Sequence, residues 1–363
     1  MSFAVRFRIR LRSALGLVAA LALAGSLAAC STISATTGSS GGKGGAELRL
    51  GFFANVTHAT PLVGVEKGFF VKELGSTRLK TQVFNAGPAA VEAIFAGAID
   101  AAYLGPNPAI NAFARSKGKA IRITAGATSG GASLVVRPGI TSAAQLRGKK
   151  IATPQLGGTQ DVALRSWLAL QGLKTDPSGK GEVEILANTQ NAQTLQLFQA
   201  GRIDGGWLPE PWASRLVLEA GAKVLVDERT LWPQGRFVTT HLIVSTKFLT
   251  AHPETVAALL RGQVAANDWI AKHPAEAKAA VNAQLQKLAG KPLKPEVLDR
   301  AWSNIEVTND PLASTLATSA RHAEQAGLLE HTDLKGIYDL APLNAILTKT
   351  GHPAVSDAGL GTE

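Results

Sequence analysis

Residues 96–109 read AGAIDAAYLGPNPA, and residues 200–213 read AGRIDGGWLPEPWA. The stretches lie 104 residues apart and agree at six of fourteen positions: Ala, Gly, Ile, Asp, Leu and the closing Ala. In each, a helical pattern ends at Ala-Gly, a short Ile-Asp-x-x-aromatic-Leu run reads as a buried strand, and a proline corner leads into another helix. Ligands of open α/β sheets sit beyond the carboxyl ends of strands, at helix N-termini. Two such corners, one per lobe and facing each other, make a cleft. The competing reading is chance similarity between two ordinary strand–helix units; a duplicated lobe explains the spacing better. The copies also differ. Tyr103 and Gly105-Pro106-Asn107 give one jaw a small neutral corner, whereas Trp207 and Pro209-Glu210-Pro211 give the other an aromatic wall and an acid. Unlike jaws predict a ligand with two unlike ends, a headgroup and a tail.

From Glu47 to about residue 246 short β-rich runs alternate with helical ones, the pattern of parallel α/β sheets. Strands are expected at Glu47–Phe52, Leu79–Phe84, Ala101–Leu104, Ile121–Ala125, Ser133–Val136, Lys149–Thr153, Glu182–Leu186, Gly205–Leu208, Lys223–Val226 and Phe237–Ser245. A helix is expected over Leu62–Leu74, and Gly87-Pro88 opens another with Pro in its first turn. Beyond residue 246 the chain reads as helical almost without interruption.

The first 29 residues read as a leader rather than fold. Arg6, Arg8, Arg10 and Arg12 precede an apolar run from Ala14 to Ala24, and small residues end in Leu27-Ala28-Ala29-Cys30. A charged start, an apolar stretch too short to span comfortably and a small-residue cleavage site make a secretory signal. Cys30 is the chain's one cysteine, and its setting resembles a bacterial lipoprotein box, in which the Cys is lipidated. Residues 30–46 then form a Ser/Thr/Gly tether that cannot pack a core. Gly38-Ser39-Ser40-Gly41-Gly42 has the Gly-x-Ser-x-Gly spacing of a hydrolase elbow, but no strand precedes it. Of 37 bases, four leave with the leader, so 33 face 27 acids and the formal charge falls from +10 to +6. The excess is spread along the chain without a Lys/Arg block, which argues against nucleic acid as a partner.

Several stretches resemble the type II periplasmic-type binding proteins of the nitrate/sulfonate/taurine group, solute receptors of ABC importers. Val65-Glu66-Lys67-Gly68-Phe69-Phe70 is similar to the family's EKGFF helix end. Phe95–Pro108 resembles its GxID…GP.P corner, Lys149–Arg165 its second-lobe entry, and Trp207–Trp212 its W.PEPW corner. The resemblance covers about Glu47 to Leu347. It implies an α/β fold of two lobes, each a mostly parallel sheet flanked by helices. Lobe 1 would span 46–135 and 240–347, lobe 2 136–239, with 348–363 as a tail. Two crossing strands, near Val135–Val136 and Thr239–Ile243, would form the hinge, and Thr239 and Thr240 would touch the ligand. It further implies a lipid-anchored monomer outside the cytoplasm, with a membrane permease as partner and no cofactor or metal.

The residues themselves argue for an anion. Orphan N–H groups and the helix dipole favour negative charge by roughly 0.3–1 kcal/mol per exposed end, about 2 when partly buried. Thr57, Thr159 and Gln160 can donate to oxyanions or cap their helices. His58 is a donor, a ligand-facing cation or a solvated loop residue. Gly105 and Gly158 let backbone approach a ligand; Asn107 contacts it or caps a helix. Trp207 and Trp212 are expected to wall the cleft, Trp212 with core packing as its alternative. Asp161 stands four residues before Arg165, the spacing of an on-helix pair. Glu210 either meets a ligand ammonium, as in taurine, or pairs with an arginine such as Arg165 or Arg215.

An enzyme on this fold lacks its parts. The pyrimidine-synthesising relatives use a cysteine-rich motif, and the one Cys lies outside the domain; no His-Glu-x-x-His or phosphate-loop motif appears. Nitrate, a heterocyclic vitamin precursor, or a ligand-sensing role for the anchored protein remain as alternatives to an aliphatic sulfonate or taurine-like solute.

Overall fold

The computed structural model describes residues 47–362. The leader, Cys30 and the tether lie outside them. Among the described residues no helix is long and apolar enough to cross a membrane.

Two sheets organise the chain. The first has the order β11-β4-β10-β3-β1-β2, from β1 (Glu47–Phe53), β2 (Arg78–Phe84), β3 (Ala101–Leu104), β4 (Ile121–Gly130), β10 (Val238–Ser245) and β11 (Ile305–Val307). The second has the order β7-β6-β8-β5-β9, from β5 (Ala132–Val136), β6 (Lys150–Ala152), β7 (Glu184–Leu186), β8 (Gly205–Pro209) and β9 (Lys223–Asp227). The two orders correspond. A parallel trio, β2-β1-β3 or β7-β6-β8, is followed by two antiparallel strands, β10-β4 or β5-β9. Each sheet is thus mostly parallel in strand direction, with β10 and β11 reversed in the first and β5 in the second. The antiparallel strands are those through which the chain leaves one sheet and enters the other.

The passages lie at Gly130–Gly131 and between Asp227 and Val238. Gly130 and Gly131 both sit at positive φ, 75° and 76°, which only glycine adopts without strain. The Val135–Val136 pair expected at the crossing is instead inside the second sheet, opposite Gly206 and Gly205. β11 interrupts the C-terminal third, which reads as helical almost without interruption; it pairs with β4.

Helices cover both faces of each sheet. The helical pattern of residues 62–74 is two helices, α1 (Ala59–Glu66) and α2 (Phe69–Leu74), separated at Gly68. Then come α3 (Gly87–Phe95), α4 (Pro106–Arg115), α5 (Thr159–Leu170), α6 (Asn191–Gln199) and α7 (Trp212–Ala220). The C-terminal third supplies α8 (Thr246–Ala251), α9 (Pro253–Lys272), α10 (Pro274–Ala289), α11 (Pro295–Ser303), α12 (Leu316–Gln325) and α13 (Ala341–Lys349). α1 and α9 pack one face of the first sheet around Leu50, Phe52, Tyr103 and Leu242; α3 and α4 pack the other around Ala102, Leu104 and Ile243. α5 and α7 cover opposite faces of the second sheet, around Trp207 and Leu208 respectively. Segment 348–362 is docked on the fold: the Thr362 N–H donates to the Tyr338 carbonyl at 3.0 Å.

The repeat now has a structural meaning. Its strands, β3 and β8, are the third strands of the two trios. In each copy the Asp clamps the first strand of its trio. Asp100 accepts the Arg49 N–H at 2.9 Å while its own N–H donates to the Arg49 carbonyl at 2.8 Å. Asp204 does the same with Lys150, at 2.9 and 2.8 Å. The shared Ile-Asp is a device for aligning neighbouring strands, present once per sheet.

Candidate functional site

The carboxyl ends of the two parallel trios face one another across a small, partly open cavity of about 30 Å³. Three junctions reach it from the first sheet. β1 leads to Phe53, Asn55, Thr57 and His58; β2 to Asn85-Ala86-Gly87; β3 to Gly105 and Pro108. From the second sheet come Pro154 and Gly158-Thr159-Gln160 after β6, Asn191 after β7 and Pro209 at the end of β8; Thr239 and Thr240 of β10 complete the wall. The first turns of α3, α4, α5 and α6 begin at these junctions, so their unpaired N–H groups and positive dipole ends converge on one volume.

Thr57, His58, Gly105, Gly158, Thr159, Gln160, Thr239 and Thr240 are thus brought together, but not all offer free side chains. The Thr240 hydroxyl donates to the Thr57 carbonyl at 3.0 Å, as does Thr128 at 2.6 Å. The Thr239 hydroxyl is held by the Gly130 carbonyl. His58 is 3 % exposed, and burial holds its pKa down to about 3 despite its bond to Tyr103, so the ring is neutral. Its Nε2 faces the Tyr103 carbonyl at 3.3 Å, which makes Nε2 the donor; Nδ1 then accepts from the Thr57 hydroxyl at 3.3 Å. His58 is neither a cation nor a solvated loop residue, and its ring lies against Phe53, centroids 4.4 Å apart. The side chains of Thr159, Gln160, Asn85 and Asn191 keep donors for a ligand. Asn191 is 3 % exposed, and its Oδ1 has no hydrogen-bond partner in the protein.

Four expected residues lie elsewhere. Trp207 is fully buried under α5, 6.2 Å centroid to centroid from Trp167, and its Nε1 donates to Glu228 at 2.7 Å. It is core, not wall. Tyr103, its counterpart, is buried likewise and donates its hydroxyl to Gln263 at 2.8 Å. Asn107 donates to the Ser319 carbonyl at 2.9 Å and does not line the cavity. Trp212 is 9 % exposed, and its Nε1 donates to Asn55 Oδ1 at 2.7 Å. Glu210 accepts from Asn304 Nδ2 at 2.7 Å and from the Ser214 N–H at 3.1 Å; burial raises its pKa, against those bonds. Neither arginine considered for it is its partner: Arg215 pairs with Glu219. Arg165 pairs with Asp161 at 3.0 Å, and Asp161 also holds the Thr153 hydroxyl and the Gly157 N–H, each at 3.0 Å. Asp161 thereby shapes the Gly157-Gly158 turn before α5.

Trp212 and Glu210 instead join the sheets. Trp212–Asn55 and Glu210–Asn304 both run from the second sheet's side to the first, beside the Thr57 N–H to Glu210 carbonyl bond at 3.4 Å. Arg229 reaches the same Asn304 at 3.2 Å, and Gln155 accepts from the Ala89 N–H at 3.3 Å. These contacts form a seal between the two sheets beside the cavity.

Asn85, Gly87 and Asn191 were not foreseen as site residues. Their signal was positional: each stands where a parallel strand turns into a helix.

The model of the NMT1-like family matches residues 41–285. The taurine-binding periplasmic protein of Escherichia coli (strain K12) is 29% identical over 229 residues, 61% of this chain and 67% of its own length. The putative aliphatic sulfonates-binding protein of Bacillus subtilis (strain 168) is 27% identical over 276 residues, 74% of this chain and 77% of its own. Among solved structures, the alkanesulfonate-binding protein SsuA from Xanthomonas axonopodis pv. citri bound to MOPS superposes with a TM-score of 0.64. It is 22% identical, covering 79% of this chain and 95% of that one, a likeness of fold.

Proposed function

Because the chain belongs to the NMT1-like family, we propose that it is the extracytoplasmic solute-binding component of an ABC importer. It captures a small organic anion, an aliphatic sulfonate or taurine-like solute, between two lobes that close by hinging, and it catalyses no reaction. The lobes are the two sheets with their helices, connected through Gly130–Gly131 and the 228–237 passage. The observation that carries this reading is the convergence of helix N-termini from both sheets on one cavity. Relatives named for binding taurine and aliphatic sulfonates support the ligand class.

The ligand stabilises the closed arrangement only by interacting better with it than with an open one. Here the first turns of α5 and α6 approach from one sheet, and those of α3 and α4 from the other. An oxyanion between them is fully hydrogen-bonded only when the lobes meet. The closed form then docks on a permease, which opens it again. Cys30 carries the lipid that keeps the monomer at the outer face of the membrane.

Calorimetry against ethanesulfonate, taurine, nitrate and sulfate tests the function. Heat of binding with at least one organic sulfonate is expected; no heat with any of the four refutes it. Replacing Cys30→Ala is expected to release the protein from the membrane fraction, and retention there refutes the anchor.

A further inference from the structure

Glu228 is the first residue of the 228–237 passage and is 2 % exposed. Its partners are neutral. Trp207 Nε1 donates to its Oε2 at 2.7 Å, and the Trp232 indole is the second donor. The carboxyl faces a gap of about 10 Å³ whose walls come from both lobes. Thr159 and Val162 of α5 stand on one side, Asn107 of α4 with Ser319 and His322 of α12 on the other. Trp232 also lines the gap, its ring 5.8 Å from that of His322, centroid to centroid. Among the described residues no cation is bonded to Glu228. In its own passage Arg229 pairs with Asp227 and Arg236 with Glu306. On α5, Asp161 and Arg165 pair with each other. On α12, burial and then the Arg321 charge hold His322 below its ordinary pKa, and Arg321 itself donates to Thr318. β5 and β8 bring no charged side chain, and Lys223 stands at the far end of β9 from Asp227.

An ionised Glu228 in this gap is an uncompensated buried charge, which is costly, so the closed form favours the neutral acid. Burial lifts its pKa from the ordinary 4.5 to about 7, against its bonds to the two indoles. Opening draws α5 away from α4 and α12, admits water to the gap and relieves the ionised form. We propose that closing the lobes takes up a proton at Glu228, which makes the proton a second ligand of the closed form and strengthens solute capture as the surroundings turn acid. This inference rests on the closure reading above and deepens it. Linkage fixes the direction: the gain is complete below about pH 4.5, falls as the pH rises toward 7, and is absent above that. His58 and Glu210 lie between the same lobes with pKa values moved by burial, so the readout must be a difference between the parent and a variant of Glu228 alone.

The test is calorimetry on the full chain in detergent at pH 6, 7 and 8. It compares the parent with Glu228→Gln, using whichever of ethanesulfonate, taurine, nitrate and sulfate binds the parent. The parent-to-variant affinity ratio is expected to be about tenfold higher at pH 6 than at pH 8, for a pKa of about 7 closed and 4.5 open. Dividing by the variant cancels any titration of the ligand, of His58 and of Glu210. Repeating the pH 7 titration in two buffers of different ionisation enthalpy counts protons, and the parent should take up about half a proton more than the variant. A change in the ratio below threefold, or equal proton uptake, overturns the proposal. Should Glu228→Gln not fold, the parent alone decides: net proton uptake at pH 7 supports the coupling and anything else overturns it. Should none of the four ligands bind, the solute-capture reading itself falls, a result distinct from binding that ignores pH.

Discussion

Adding one methyl group at Gly105 should hold the cleft ajar. Gly105 precedes α4 on the first sheet and Thr159 opens α5 on the second, so their approach exists only when the lobes are closed. The Gly105 backbone lies at φ −78° and ψ 169°, a conformation alanine adopts freely, so Gly105→Ala strains no dihedral. Its Cβ, however, would stand 2.0 Å from Thr159 Oγ1, 3.1 Å from Thr159 Cβ and 3.3 Å from the Thr239 carbonyl oxygen. Ordinary contact begins at 3.4 Å, so the hydroxyl must retreat by roughly 1.4 Å, taken as the difference of those two distances. Rotating the threonine moves Oγ1 but leaves its Cβ in the way, and a β-branched side chain in a helix has few rotamers to choose from.

Overpacking of this kind costs about 1–3 kcal/mol. Opening the lobes relieves it, so the cost falls on the closed, ligand-bound form and not on the fold. Gly105→Ala is therefore expected to weaken ligand binding by roughly 5–150-fold, while thermal unfolding without ligand changes by no more than about 0.5 °C, less than the roughly 1.5 °C that 1 kcal/mol against a fold of this size would bring. Calorimetry and thermal melts measure the two halves, and small-angle scattering should show a larger ligand-bound radius. Adding Thr159→Ala removes the hydroxyl from the clash and is expected to restore part of the affinity that Gly105→Ala loses. Parental affinity in Gly105→Ala would refute the reasoning. So would a fall in stability as large as the fall in affinity, because the clash would then belong to the fold.

Other expectations follow from the same geometry. Glu228 is buried between the Trp207 and Trp232 indoles, and burial lifts its pKa from the ordinary 4.5 to about 7. Its protonated form is the one that the fold favours, so this stabilisation is complete below about pH 4.5 and is lost as the pH rises through 7, by an amount on the order of 3 kcal/mol. Glu228→Gln, which still accepts from Trp207, should melt near the parent at pH 5 and above it at pH 8; equal melting at both pH values would count against a buried acid. If the repeat's aspartates serve strand alignment, Asp204→Ala should cost about 1 kcal/mol and Asp100→Ala about 3, since Asp100 also holds the Arg49 side chain. Both should bind ligand within twofold of the parent, and a larger loss would place them in the site. Trp212→Phe leaves Asn55 Oδ1 unpaired only in the closed form and should weaken binding by roughly three- to tenfold, from about 0.5–1.5 kcal/mol per hydrogen bond; unchanged affinity would remove Trp212–Asn55 from the seal.

The alternation of strands and helices was legible because parallel strands buried on both faces leave continuous apolar runs, and β3 and β8 are buried throughout. Side-chain direction was legible too, but was read the wrong way. Successive strand residues point to opposite faces, so Tyr103 and Trp207, inside their strands, must enter a helix-covered face. Within the trios, only the last strand residue, such as Phe53 or Pro209, and the residues beyond it reach the cleft. The aromatic difference between the two copies therefore says nothing about unlike ends of a ligand; it separates two cores, one closed by Gln263 and the other by Glu228. The same rule, applied to every strand of both trios, points to three junctions per sheet. Those after β1, β3, β6 and β8 were marked by Thr, Gly and Pro. The junctions after β2 and β7 carry the same kinds of residue, Gly87-Pro88 and Thr189, but these read as ordinary helix starts, and only the duplication makes them site positions. β11 offered still less: its three residues bring too few alternations to separate strand from helix, and what makes them a strand is the open edge of β4. Glu210 shows the remaining limit. An acid beside a predicted cleft invites a cation, but the side chain turns outward to an Asn304 that lies 94 residues away, and no local pattern records a partner so distant. Its place in the seal is a product of the tertiary fold, which is why closing the lobes, rather than holding the ligand, is the work it does.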